Sequence, residues 1–418
     1  MGTISLRADA TLLYHAAAVF RNPISKASTI SDDSFTPNEK RTLLGVALAA
    51  GLRILGISLI LPVFALYQDG MKASTAEIGL ALGIYSFTNA AFQVPLGFLS
   101  DRIGRKGVLL GGMLVFAIGS FMAAWAPTIW LLILARALQG SGAIGGVVYA
   151  MVADAVPVSR RHRAMAYLGI PVGAAFIVGM ILGPLLAGAY GIPFLFALMG
   201  GLVLACGCYI LLFIPEPEKH AAFEEVGVNP REIPFLLADR DLLRVNLGSF
   251  LMNFLMSALF LALPGLLAAV MPMAYFSLFY LPLVLVGVIV MRILSRTADR
   301  KGGRAIAVPV FLLLALSPIL LDVAPRGALL PLIPGALFFF FSIFILQSVL
   351  PGMTTKIAKP AIVGTAAGVN QMLQALGSFA GAALAGAMLL IHPHAFTGLL
   401  VAAGVAGSIA AWGIRHRG

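Results

Sequence analysis

Asp101, Arg102, Arg105 and Lys106 place one acid and three bases within six residues, bracketed by Gly97 and Gly104. Charges this close, with Asp154 further along the chain, suit an electrostatic latch. No nucleophile stands beside a general base, so an enzyme is not expected. A second set is cationic. Arg53 and Arg136 lie inside long apolar runs, where a charge costs about 2.5–3.5 kcal/mol on insertion scales. Each is expected to face a cavity, and for Arg136 bracing of its bundle through backbone carbonyls is the competing role.

A third set consists of neutral amides. Asn89 and Gln93 are one helical turn apart and share a face. Asn253 and Gln347 are the comparable residues of the second half. Asn370, Gln371 and Gln374 fall within one later run, alongside Gln139 in the first half. Each either lines a cavity or makes an ordinary interhelical hydrogen bond. His392 and His394 have i, i+2 spacing in a turn with a proline and no acid nearby in sequence, which reads as a plain loop, so no metal site is expected. Cys206 and Cys208, the only two cysteines, read as packing residues, since neither a disulfide framework nor a zinc spacing follows from two. No Gly-rich lysine loop is present, so no nucleotide motor and no cofactor is expected.

The elements that hold these residues are set by composition. The chain of 418 residues is 60% hydrophobic and 11% charged, with mean hydropathy +0.99, against about 25% charged residues in soluble domains. The bilayer is therefore the solvent. With about 20 apolar residues per crossing, twelve spans are expected, roughly at 42–66, 76–99, 107–126, 128–153, 164–189, 192–214, 242–268, 272–295, 305–324, 328–353, 362–390 and 395–414. The net charge of +11 sits in short turns between apolar runs, where it reads as a topology signal and not as a nucleic-acid surface. Alternate turns hold Arg102, Arg105 and Lys106, then Arg160, Arg161 and Arg163, then Arg296, Arg300, Lys301 and Arg304, then Lys356 and Lys359; the opposite turns hold only Lys72 and Arg326. That asymmetry puts both termini in the cytoplasm.

Residues 1–36 read as a cytoplasmic tail, with Thr11–Phe20 too short to span. The polar stretch 215–241 divides spans six and seven, giving bundles over 37–214 and 242–414. Parallel halves of six mark a two-bundle transporter. Arg300-Lys-Gly-Gly-Arg304 after Asp299 echoes the first charged turn at the matching place.

Gly97-Phe-Leu-Ser-Asp-Arg-Ile-Gly-Arg-Lys106 resembles the signature of the major facilitator superfamily, in the same loop. Arg136-Ala-Leu-Gln-Gly140 in span four looks like its second motif. Gly179-Met-Ile-Leu-Gly-Pro-Leu-Leu-Ala-Gly188 in span five is similar to the third, typical of antiporters, with Ala-Gly where the pattern ends in a glycine pair. Residues 40–414 resemble the drug:proton antiporter-like branch and its YajR-type bacterial inner-membrane members, without the soluble C-terminal domain into which those can continue. The resemblance implies an all-α polytopic protein of twelve transmembrane helices in two pseudo-symmetric six-helix bundles. It also implies a small-molecule substrate, proton coupling, an antiporter's outward direction and a coupling role for Arg136; a monomer is expected.

Gly97 and Gly104 let a tight turn and neighbouring helices approach. Asp101 is expected beside the N-terminus of span eleven, whose partial positive charge favours an acid by about 0.3–1 kcal/mol, and Arg105 is expected to reach Asp154. Together they would hold the halves closed at the cytoplasmic rim. Gly173, Gly179, Gly183 and Gly188 give span five a small face, with Pro184 as a kink, and so a seal and hinge. Phe338, Phe339, Phe340, Phe341 and Phe344 are expected mostly to face lipid. All seventeen acids fall in tails, turns or helix ends, whereas proton coupling usually needs a titrating group inside the membrane. Buried cations without buried acids point to an anionic or amphipathic solute. Three readings follow: a secondary active exporter, a facilitator or importer of a metabolite, and a non-transporting membrane scaffold.

Overall fold

In hydrocarbon every backbone N–H and C=O must be bonded within the protein, and a helix does this within one segment. The computed structural model describes residues 35–142, 144–157, 160–216, 232–325, 327–359 and 362–415, and among these helix is the only periodic structure. The tail expected over 1–36 lies outside the described residues except for its last two, as do Arg326, Pro360 and most of the linker. The chain divides into two units, residues 1–40 and 41–418. In the first, Thr36 and Glu39 exchange bonds between side chain and backbone N–H at 2.7 and 3.3 Å and so start a helix.

Spans one to three are Pro37–Ile60, Thr75–Ile103 and Arg105–Ala124. Span four is two helices, Ile129–Ser141 and Gly145–Ala155. Spans five and six are Arg161–Tyr190 and Ile192–Phe213. A short helix, Ile233–Ala238, precedes the second half. Spans seven to twelve are Arg240–Ala268, Phe276–Lys301, Gly303–Asp322, Leu332–Ile357, Val363–Met388 and Pro393–Trp412.

By length and hydropathy ten crossings qualify among the described residues. Spans two and eleven are the other two, which completes twelve. Their lower hydropathy has a structural reason: they pack antiparallel against each other over most of their length. Their amides, hydroxyls and glycines therefore meet protein and not lipid tails. Pro171 and Pro184 both sit within span five, and the helix continues through them.

Span four, expected over 128–153, is one apolar crossing over Ile129–Ala155, its two helices lying either side of Ala143, which is outside the described residues. One finding differs from expectation. Of the span-ten phenylalanines, Phe339 and Phe340 are fully buried. They form edge contacts with Phe260 at 5.1 and 5.8 Å between ring centres, and Phe340 also meets Tyr280. Between packed helices the rings gain edge-to-face and van der Waals contacts, which is what favours the protein side, since lipid tails are as apolar as the core.

The echo between halves extends to the backbone. Gly104 joins spans two and three at φ 104°, ψ 148°, and Gly302 joins spans eight and nine at φ 87°, ψ 143°. That conformation is essentially restricted to glycine, and it lets one helix follow another without a loop.

Candidate functional site

At the face carrying the basic turns, Gly104 reverses the chain so that Arg105 points back into the bundle. Arg105 is 2% exposed and Asp154 1%, although each ends a membrane helix. Arg105 Nε donates to Asp154 Oδ2 at 2.8 Å. Its other arm meets Asp101 at 2.5 Å and the Ser100 hydroxyl at 2.7 Å, and Ser100 in turn donates to the Gly97 carbonyl at 2.6 Å. The cluster thus joins spans two, three and four, all of the first half. A buried guanidinium is tolerable here because two carboxylates and a hydroxyl share it. Asp101 remains 27% exposed, and Arg102 lies on the exposed side of the turn.

Ser100 and Glu216 were not among the expected site residues. Glu216 accepts from the Lys106 backbone N–H at 3.2 Å, capping a helix whose own N-cap, Gly104, has no side chain to offer. Lys106 Nζ donates to the Leu211 carbonyl at 2.9 Å, tying the same turn to the end of span six. The acidic run directly after span six was the available signal. At the first turn of span eleven the Thr365 hydroxyl donates to Glu232 at 2.5 Å.

Spans two and eleven cross from one half to the other. Toward the basic face Gln93 Nε2 donates to Gln371 Oε1 at 2.6 Å, and Val94 packs on the apolar cluster that holds Ala366 and Val369. Toward the opposite face they meet through glycines. A Cβ at Gly79 would stand 2.8 Å from the Gly386 Cα and overlap the Ala382 carbonyl, and one at Gly83 would stand 2.9 Å from the Phe379 carbonyl. Span five extends this contact. Gly179 and Gly183 press against Ser58 and Leu59 of span one, and Gly188 against Ala274, just ahead of span eight. Ser277 donates to the Ile181 carbonyl at 2.6 Å, and Pro184 is buried.

The two interior arginines have different surroundings. Arg136 is 3% exposed. It donates to Gln139 Oε1 at 2.7 Å and to the Ala81 carbonyl at 3.4 Å, and Gln139 passes a bond to Ser120 at 2.7 Å. Its guanidinium lies over Tyr85 at 4.6 Å, with Phe64 and Phe196 at 5.7 and 5.9 Å. Arg53 is half-buried on span one and lines a recess with Met113, Phe116, Ile144 and Val203.

In the second half Asn370 Nδ2 donates to Asn246 and Ser249 at 2.9 and 2.8 Å, and Gln374 donates to Asn370 at 2.6 Å. Asn253 bonds within its own helix, to the Ser249 carbonyl. Asn89 is partly exposed and Gln347 exposed, and neither joins this network. His394 does have an acid nearby in space, Asp322 at 3.2 Å, on a side chain 91% exposed. Among the described residues no group of three or more metal-ligating side chains forms.

Twelve apolar helices, a charge cluster at one face and cations inside define a polytopic membrane transporter. The chain belongs to the Major Facilitator Superfamily, whose model matches residues 46–382. It is 35% identical over 361 residues to the inner membrane transport protein YajR of Escherichia coli (strain K12), covering 85% of this chain and 79% of that one. It is 31% identical over 191 residues to the class H tetracycline resistance protein of Pasteurella multocida, covering 44% of this chain and 46% of that one. Among solved structures, a bacterial homologue of the human lysosomal transporter Spinster, inward-facing and unoccupied, superposes with TM-score 0.70 at 17% identity, over 91% of this chain and 95% of that one. The human organic anion transporter MFSD10 superposes with TM-score 0.66 at 20% identity, over 90% and 100%. These likenesses establish the fold.

Proposed function

We propose that this chain is a secondary active transporter that exports a small amphipathic or anionic solute across the bacterial inner membrane by alternating access. The basic face is cytoplasmic, both termini lie there, and the chain acts as a monomer. The observation that carries the reading is the unequal contact between spans two and eleven. On one face bare backbones touch through glycines; on the other the described bond between the two spans is one amide pair, beside the apolar packing of Val94. Glycine contacts carry no side chains to disentangle, so the two halves can separate and reseal there at little cost. One amide bond, worth about 0.5–1.5 kcal/mol net, can be exchanged for contacts with a solute. Alternating access requires such a small difference between states.

The outward direction rests on the span-five glycine motif and on a tetracycline-resistance relative. Proton exchange follows the same branch. The second reading, a facilitator that moves a metabolite down its gradient, is favoured by one observation: no acid lies in the middle of any span. Purified protein in vesicles under an imposed pH gradient separates the two. Solute movement that follows the proton gradient supports export by exchange, movement indifferent to it supports the facilitator, and movement of lipophilic cations alone removes the anionic solute class.

A further inference from the structure

Counting from the glycine that joins each pair of helices matches the two halves residue by residue. Gly302 stands for Gly104, and so Ser295 for Gly97, Ala298 for Ser100, Gly303 for Arg105 and Arg304 for Lys106. Lys356 stands for Asp154, each two residues before the C-cap of its helix, in spans ten and four. The match holds in space. Arg304 donates to the Ile414 carbonyl at 3.3 Å, as Lys106 does to the Leu211 carbonyl at 2.9 Å. The third residue after span six is Glu216, and the third after span twelve is Arg415. Two of the three acids that serve the first charged turn therefore have bases in their place; Asp299 keeps the third, Asp101.

The space differs accordingly. Where the first half buries the cluster of Arg105, Ser100 and Asp154, the second has a recess of about 100 Å³, lined by Ser295, Ala298, Gly303, Ser348, Gly352 and Lys356 among others. That is room for several water molecules, and so for a tetrahedral oxyanion. The Ser295 and Ser348 hydroxyls lie 2.9 Å apart, and while one donates to the other a proton is left for a ligand. No side chain caps the first N–H groups of span nine at Gly302, whereas Glu216 caps span three. The local charge favours the same occupant. Residues 292–304 and 348–359 together carry seven bases against the single acid Asp299, and Arg292 and Arg296, either side of Ser295 in the chain, are exposed. Asp241 is engaged elsewhere, by Arg244 at 3.2 Å and by the Arg415 backbone N–H at 3.3 Å.

We propose that the recess between spans eight, nine and ten is an anion site. It takes a phosphate group from the side of the basic turns, with Lys356 as its cation and the Ser295 and Ser348 hydroxyls as donors. Free phosphate and the headgroup of an anionic lipid share that chemistry, and basic pockets between helices at the cytoplasmic face hold lipid headgroups in this way. A bound phosphate gives the second half the filled charge cluster that the first builds from its own side chains. The proposal goes beyond the transport reading and does not depend on which solute moves.

The test uses the full chain in phosphatidylcholine nanodiscs, with phosphatidylglycerol and inorganic phosphate as probes. Native mass spectrometry reads retained lipid, and the thermal midpoint reads phosphate at fixed ionic strength against chloride. Wild-type protein should hold phosphatidylglycerol, or phosphate over chloride, with a preference of at least about tenfold, as charge-assisted bonds imply. The first result identifies a lipid headgroup as the occupant and the second a free phosphate. Gly352→Leu is the decisive variant. A Cβ at Gly352 meets no atom within 4 Å, so leucine fills the recess while every charge stays, and the preference should disappear. Lys356→Gln and the double variant Ser295→Ala/Ser348→Ala should each weaken it about fivefold or more. Lys359→Gln, which removes a neighbouring exposed charge, should change it less than about twofold because solvent screens that charge. If Lys356→Gln does not fold, Gly352→Leu carries the comparison. A preference that survives Gly352→Leu, an equal loss in Lys359→Gln, or a wild type that prefers neither probe overturns the proposal.

Discussion

Arg105 and Asp154, 49 positions apart in the chain, meet at 2.8 Å with both side chains almost wholly removed from solvent. Removing one member strands a buried charge, at a cost of about 3–5 kcal/mol. Asp154→Ala should therefore lower the thermal midpoint in detergent by several degrees. The double variant Arg105→Met/Asp154→Ala should lose less than the sum of the single changes. Strict additivity in that cycle would show that the pair is not coupled.

The backbone at Gly104 tolerates no side chain for two reasons. Its φ of 104° is strained for any other residue, and a Cβ there would approach Glu216 Oε1 to 3.0 Å. Gly104→Ala should cost about 1–3 kcal/mol. Glu216→Gln keeps the hydrogen-bond acceptor and loses the charge at the helix start, so its cost should be only about 0.3–1 kcal/mol. Chemical or thermal unfolding of the two variants side by side tests the ranking.

The glycine seal predicts a conformational phenotype, not an unfolded one. A Cβ at Gly386 would stand 2.7 Å from the Thr75 carbonyl and 3.1 Å from the Ala76 Cα. Gly386→Val should force spans two and eleven apart at that end, with solute movement reduced tenfold or more and the fold retained. A cysteine introduced at Ala76 should react faster with a water-soluble maleimide in the valine background than in the wild type. An unchanged labelling rate would place the seal elsewhere.

Arg136 gives a fourth prediction. The Tyr85 hydroxyl in its aromatic surround is buried and has no partner among the described residues. Tyr85→Phe removes an unsatisfied polar atom while keeping the ring under the guanidinium, so the thermal midpoint should stay level or rise. Gln139→Ala should do the opposite. It leaves both Arg136 and Ser120 without their shared partner, at about 1–3 kcal/mol.

The amides show where sequence reasoning stops. Asn370, Gln371 and Gln374 were indistinguishable as polar residues in one apolar run. The structure gives Asn370 and Gln374 to a network within the second half and Gln371 to the bond between halves, because helix rotation sends successive residues about 100° apart. Arg53 and Arg136 carried the same sequence signal, a cation inside hydrocarbon. Only packing shows that one is enclosed by three aromatic rings and an amide while the other faces a recess.

What the chain's order of residues determined alone was its solvent and its local geometry: twelve apolar lengths, the charged turns between them, and the glycines Gly104, Gly191 and Gly302 where consecutive spans join without a loop. Hydropathy and backbone sterics act over a few residues and can be read along a line. The tertiary structure decided which polar groups are spent on one another. Arg105 and Asp154, Gln93 and Gln371, and Arg53 and the Gly145 backbone are far apart in sequence, and their meeting depends on the relative rotation and depth of packed helices, which no single segment specifies.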